Sequence, residues 1–232
     1  MKGFVSNYPA LVVALLLCLL LAGHLEARGE QKEENEICFR WAFGAMVGQK
    51  GDRRLVAITR DTVLKTGDRL KLLLQLETKC FIYLFYRTAE DDIYLLFPKT
   101  LQQFEADYKA GKKYYIPEGT KWFELDEKVG LERFYLLASA KKLMNLETLY
   151  NKYHSVDSTN KQELAKKLIA EIHQTIKQHR KFTAAAERPI AIGGNIRGIV
   201  KDENAAFPDI DPIASEVYTS NFYSKTFTIE HK

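Results

Sequence analysis

The side chains able to do covalent chemistry in this chain are few and poorly spaced for it. Its five histidines stand at His24, His154, His173, His179 and His231, and no Gly-x-Ser-x-Gly elbow presents a serine to any of them. Cys80 follows Lys79, a neighbour that favours a thiolate, but it opens an apolar run. There a cysteine serves packing or a disulfide rather than nucleophilic attack. His173 and His179 lie six positions apart, about 240° around a helix, so they do not share one ion. Glu90-Asp91-Asp92 and Asp209-Ile210-Asp211 offer the oxygens calcium takes, yet short acidic clusters in turns are ordinarily solvated turn residues. Gly193 to Gly198, GGNIRG, lacks the spacing of a phosphate or dinucleotide loop and reads as a bulged strand. No catalytic residue, metal site or cofactor is expected.

What remains is the chemistry of contact. Lys166, His173, Lys177 and Lys181 lie opposite the apolar stripe of a helix spanning 161–181. A face of that kind suits an anionic partner, lipid headgroups or an acidic protein; the plainer reading is a packed helix whose outer face is solvated. Tyr114, Tyr115 and Trp122 offer rings to a glycan, but rings in strands usually have at least one side in the core. The net charge of +4 aids solubility and allows weak attraction to an anionic membrane surface, and is far from a nucleic-acid-binding signature.

The elements that must position these residues are mostly strands. Leu70, Leu72, Leu74 and Leu76 alternate with Arg69, Lys71 and Gln75, the pattern of a half-buried antiparallel strand. Cys80–Arg87 and Ile93–Phe97 are two apolar runs joined by Thr88–Asp92, which predicts a β-hairpin with both faces covered, ended by Pro98. Short runs near Tyr114, Trp122 and Glu132, set off by Gly111, Gly119 and Gly130, extend an antiparallel sandwich or barrel. The period then changes. Leu146, Leu149, Tyr150 and Tyr153 predict one helix capped by Asn145. Leu164, Ala165, Leu168, Ile169, Ile172 and Ile176 predict a second, with a capping box at Thr159 and Gln162. Strands resume at 190–200 and 221–230, separated by a loop at 201–215. The fold class expected is mainly β, a β-sandwich of antiparallel strands, with an insertion of about two helices at about 143–182.

The first residues have the layout of a secretory signal peptide. Lys2 precedes an apolar stretch from Ala10 to Ala22, and Leu25-Glu26-Ala27 offers a small residue for cleavage. Cleavage is expected after Ala27, with Ala22 or Gly23 as alternatives and an uncleaved anchor as the competing reading. Residues 28–36 form a charged leader, and 37–232 one domain. Export leaves two cysteines, Cys38 and Cys80, a candidate disulfide in an oxidising compartment.

Several motifs recur in order: TVLKTGDRLKLLL (Thr62–Leu74), KCFIYLFYRTAEDDIYLLFPK (Lys79–Lys99), GKKYYIP (Gly111–Pro117) and FELDEKVGLERFYLLAS (Phe123–Ser139). Together these resemble the bacterial envelope-associated family catalogued as domain of unknown function 4384. Gly67-Asp68, Tyr83, Leu96-Phe97-Pro98, Gly130 and Glu132 carry the likeness, over roughly 40–139, with IRGIV at 196–200 as a further candidate match. The resemblance implies a noncatalytic, sandwich-like domain of the cell envelope and transfers no catalytic residue. This chain departs from the family by standing alone and by its basic helix. The function expected is an exported binding or scaffolding module, periplasmic or secreted, whose partner is another envelope protein. An unrecognised hydrolase using loop carboxylates is the alternative, and an anionic-surface binder acting through helix 161–181 the second.

Overall fold

The structure, a computed structural model, describes residues 36–49, 52–179, 186–189 and 208–232. The signal peptide, most of the charged leader, the strand expected at 190–200 and Lys181 lie outside these residues. Ile37–Lys232 forms one compact unit.

Two sheets face each other across an aromatic-rich core. The first is built on β1 (Glu36–Val47) and β4 (Arg69–Leu76), paired antiparallel from Phe39↔Leu76 to Met46↔Arg69. β2 (Arg54–Ala57) pairs with β1. On the far side of β4 lie β7 (Lys113–Ile116) and β8 (Phe123–Glu124). β11 (Ser215–Ser220) and β10 (Ala186–Pro189) extend the sheet beyond β1. The second sheet runs β3 (Thr62–Leu64), β12 (Phe222–His231), β9 (Gly130–Ser139), β5 (Phe81–Arg87) and β6 (Ile93–Phe97). Only the β12–β3 pair in it is parallel.

Alternation builds the core as expected for half-buried strands. Phe39, Trp41 and Phe43 from β1 meet Phe134, Tyr223 and Phe227 from the other sheet, edge to face at centroid separations of 4.9–5.4 Å. Such pairs add about 0.5–1.5 kcal/mol each beyond the area they bury. The fold is the expected mainly-β arrangement with two long helices, α2 (Met144–Ser155) and α3 (Ser158–His179). A single helical turn, α1 (Gln103–Ala106), precedes them between β6 and β7.

The apolar stripes of α2 and α3 cover the outer face of the second sheet. Leu146, Tyr153, Ala165, Leu168 and Ile172 bury against Tyr83, Phe85, Tyr135 and Leu137. That covering explains why β5 shows no clean alternation: its even positions face the other sheet and its odd positions face the helices. Asn145 is not the cap of α2, however. Leu143 holds that position without a side-chain cap, because the first turn is held from the sheet instead.

Two further expectations need correction. β6 is an edge strand, with Tyr94 49% exposed, and not an interior one. β4 is buried on both faces: Leu73 packs under Ile210 and Ala214, and Lys71 is only 5% exposed. The loop reading of 201–215 hid the covering segment 208–214. It lies so close to β1 that a Cβ on Gly44 would come 2.9 Å from Ile210 Cγ2.

Candidate functional site: a groove between two edge strands

The motif residues come first, because all of them turn out to hold the scaffold. Gly67 takes φ +86° at the turn before β4 and donates its N–H to Leu125 O at 2.8 Å. The Asp68 carboxylate accepts from Lys65 N (2.8 Å) and Gly48 N (3.3 Å), tying that turn to the end of β1. The Tyr83 hydroxyl accepts from Leu143 N (3.1 Å) and donates to Glu147, clamping the first turn of α2 to β5. Burial, then the Glu147 hydrogen bond, push its pKa far up, so the phenol stays neutral. Leu96-Phe97-Pro98 closes β6, with Phe97 packed on Tyr108 and Tyr114. Gly130 is required: its φ is +149°, and a Cβ there would meet Ala89 Cβ at 2.7 Å.

Glu132 leads to a cluster that the sequence did not reveal. Its Oε2 accepts from the Tyr86 hydroxyl at 2.9 Å, and its Oε1 lies 3.3 Å from His231 Nδ1. Nε2 of His231 is 3.1 Å from Thr66 Oγ1. The order of hydroxyl, imidazole and carboxylate is that of an acyl-transfer triad, but the geometry is not. His231 Nδ1 is out of line for a hydrogen bond to the carboxylate. The N–H groups of Gly67 and Asp68 beside Thr66 already donate to Leu125 O and Lys65 O, so neither is free to hold an oxyanion. Thr66 N also donates to Lys232 O, and Lys232 N to Leu64 O. The cluster therefore fastens β12 to β3.

Tyrosines perform a second task in this fold. Where the ladder of β5 runs past the end of β6, the Tyr108 hydroxyl accepts the Ile82 N–H at 2.8 Å. On the outer side of β6, Tyr153 of α2 accepts from Ile93 N at 3.0 Å. α2 thus satisfies a donor that an edge strand would otherwise present to water or to another chain.

β7 is treated differently. It pairs with β4 alone, and among the described residues no hydrogen bond from any other element reaches the backbone of Lys113–Ile116. Between it and β6 runs a groove of about 690 Å³, lined by both edge strands and the chain that links them. Leu95, Phe97, Tyr114, Ile116 and Phe123 supply its apolar surface, while Lys99, Lys112, Lys113 and Lys121 supply positive charge against Asp107 and Glu118. Lys99 pairs with Glu118, Lys112 with Asp107 and Lys113 with Asp211. The first two are surface pairs, worth about 0–1 kcal/mol each and readily exchanged.

One end of the groove is braced by Lys71. It sits in β4 between the registers Leu70↔Phe123 and Leu72↔Ile116, where the chain bulges outward between β7 and β8. Its ammonium donates to Pro117 O (3.2 Å), Gly119 O (2.7 Å) and Lys121 O (2.6 Å), and lies over the Tyr115 and Trp122 rings. Burial lowers its pKa, with Asp209 opposing.

The residues singled out for chemistry are scattered. Lys166 and Lys177 are exposed on α3, and His173 stands edge-on to Tyr135 at 5.7 Å, its pKa lowered by desolvation and by Arg87 and Arg133. Cys38 and Cys80 are not joined by a disulfide; burial, then the nearness of Cys38, push Cys80 up to about 12. The acidic clusters are held by protein cations: Glu90 by Lys128, Asp91 by Arg87, Asp92 by Lys161, and Asp211 by Arg40 and Lys113. Asp209 accepts from the Tyr115 hydroxyl and Asp211 N. The Tyr114 hydroxyl bonds Lys109 N and Asp107 O, so its ring serves the core and the groove wall.

Gly67-Asp68, Tyr83, Leu96-Phe97-Pro98, Gly130 and Glu132 are thus structural, which is the character of a fold signature. Residues 63–142 match the family model of a domain of unknown function, DUF4384. The DUF4384 match runs from β3 to the turn before α2, so it contains both edge strands and the whole groove. β1, the two long helices, β11 and β12 lie beyond it. No curated protein and no solved structure matches the chain.

Proposed function

We propose that this protein is an exported binding or scaffolding module of the bacterial cell envelope, acting without catalysis. The observation that carries the reading is the groove between β6 and β7. It is the place where an unpaired strand edge, apolar side chains and exchangeable charges meet. The groove falls inside the DUF4384 segment, in keeping with an envelope role for that domain. Two observations support binding over hydrolysis: the loop carboxylates are held by protein cations, and the hydroxyl–imidazole–carboxylate cluster lacks triad alignment. The signal-like residues at 1–27 support export.

The reading is tested by crosslinked capture of the full chain from the envelope fraction, with mass-spectrometric sequencing of the mature N-terminus. A mature N-terminus near residue 28 and a reproducible envelope partner are expected. A cytoplasmic pool retaining Met1, or no reproducible partner across replicates, overturns it.

A further inference from the structure

The two edge strands that flank the groove, β6 and β7, are handled in opposite ways, and the difference identifies what the groove takes. On β6, the Tyr153 hydroxyl of α2 occupies the outward N–H of Ile93. On β7 nothing among the described residues occupies the backbone of Lys113–Ile116 from outside. In an antiparallel ladder every second residue of such a strand turns its N–H and C=O away from its neighbour. A ligand that uses them has an extended backbone of its own.

Charge selects among extended ligands. Four lysines line the groove against two carboxylates. Lys121 forms no ion pair among the described residues, and Lys113 pairs with Asp211. We propose that the β7 edge is a docking site for an extended acidic peptide segment of a partner protein, added to the first sheet as a further antiparallel strand. Alternate side chains of the segment enter the apolar floor formed by Leu95, Ile116 and Phe123, and its carboxylates meet Lys113 and Lys121. Lys71 fixes the end of the site by holding the 117–121 bulge outward, so the added strand spans β7 and stops there. This inference names the partner chemistry of the binding-module reading and rests on it.

The probe is an acetylated, fluorescein-labelled octapeptide alternating Val and Glu, titrated with the full chain by anisotropy. Its controls are the Val/Lys counterpart, a Val/Glu peptide N-methylated at alternate residues, and vesicles rich in phosphatidylglycerol. Strand addition is expected to make the N-methylated peptide bind at least about ten-fold more weakly, since it keeps charge and side chains but loses ladder donors. Lys113→Glu and Lys121→Glu together should cost about ten-fold more and reverse the preference toward the Val/Lys peptide. Equal binding of the N-methylated peptide overturns the proposal, as does binding that the two substitutions leave unchanged, or binding of vesicles but of neither free peptide. Each of these leaves the module reading standing if envelope capture still returns a partner, whereas failure of that capture strikes the reading itself.

Discussion

Replacing Tyr153 with phenylalanine removes one oxygen atom and leaves the buried Ile93 N–H without an acceptor. An orphaned buried donor costs about 1–3 kcal/mol, so Tyr153→Phe is expected to lower the urea midpoint by a corresponding amount with an unchanged slope. An unaltered midpoint would show that water replaces the hydroxyl. Tyr115 provides a second test at the same scale. Burial, then the Asp209 carboxylate accepting its proton, raise its pKa from 10.0 to about 12. Between those values the unfolded chain has lost the proton that the folded chain keeps, so stability must fall as pH rises through that window. The fall should be smaller in Tyr115→Phe, measured by thermal melts from pH 9 to pH 12. These roles were not legible in the sequence. Tyr83 stands out there as a motif residue and Tyr153 as part of an apolar stripe, but the donors their hydroxyls accept, like that of Tyr108, lie on chain far away in sequence.

Elements were read more successfully where a period could speak. The β5–β6 hairpin, β4, β9 and the two-helix insertion follow from alternation, turn residues and a 3.6-residue stripe, and they stand where expected. β11 went unread although Ser215–Ser220 alternates buried and exposed, because its apolar positions include serine and threonine, which look like loop. The burial of Lys71 also went unread, since a lysine in an alternating strand is ordinarily solvated and the segment covering it is distant in sequence. Lys71→Met separates its two roles. The carbonyls it serves lie on a largely exposed bulge where water can replace it, so global stability should change by only about 1 kcal/mol. The 117–121 segment should nevertheless become markedly more susceptible to limited proteolysis. A bulge that stays resistant in Lys71→Met would remove the bracing role assigned to the ammonium.

At the scale of the whole molecule, the chain surrounds a family signature with elements the family model does not contain. The matched stretch 63–142 supplies β4, β7 and β8 of the first sheet and all of the second sheet but β12. β1, β11 and β12 complete the sandwich, and α2 and α3 cover its second sheet. The signature is therefore not a self-sufficient body: the core rings Phe39, Trp41, Phe43, Tyr223 and Phe227 all lie outside it. Function was the least legible level. Positive motifs for catalysis were missing, and a groove formed by edges of two different sheets leaves no periodic trace in sequence.

The tyrosine caps of the second sheet, Tyr108 on β5 and Tyr153 on β6, also impose an order in time. Ile93 and the hydroxyl that covers it are 60 residues apart, so during synthesis the strand Ile93–Phe97 exists well before its cover. For that interval a short, apolar, unprotected template is available to any neighbouring nascent chain, and the helix pair acts as a late-arriving intramolecular chaperone. A chain stopped after residue 142 should therefore accumulate as concentration-dependent aggregates in light scattering. The same fragment supplied in trans with the remainder of the chain should aggregate less. If the fragment stays dispersed at every concentration, the caps secure the finished fold without guarding its formation.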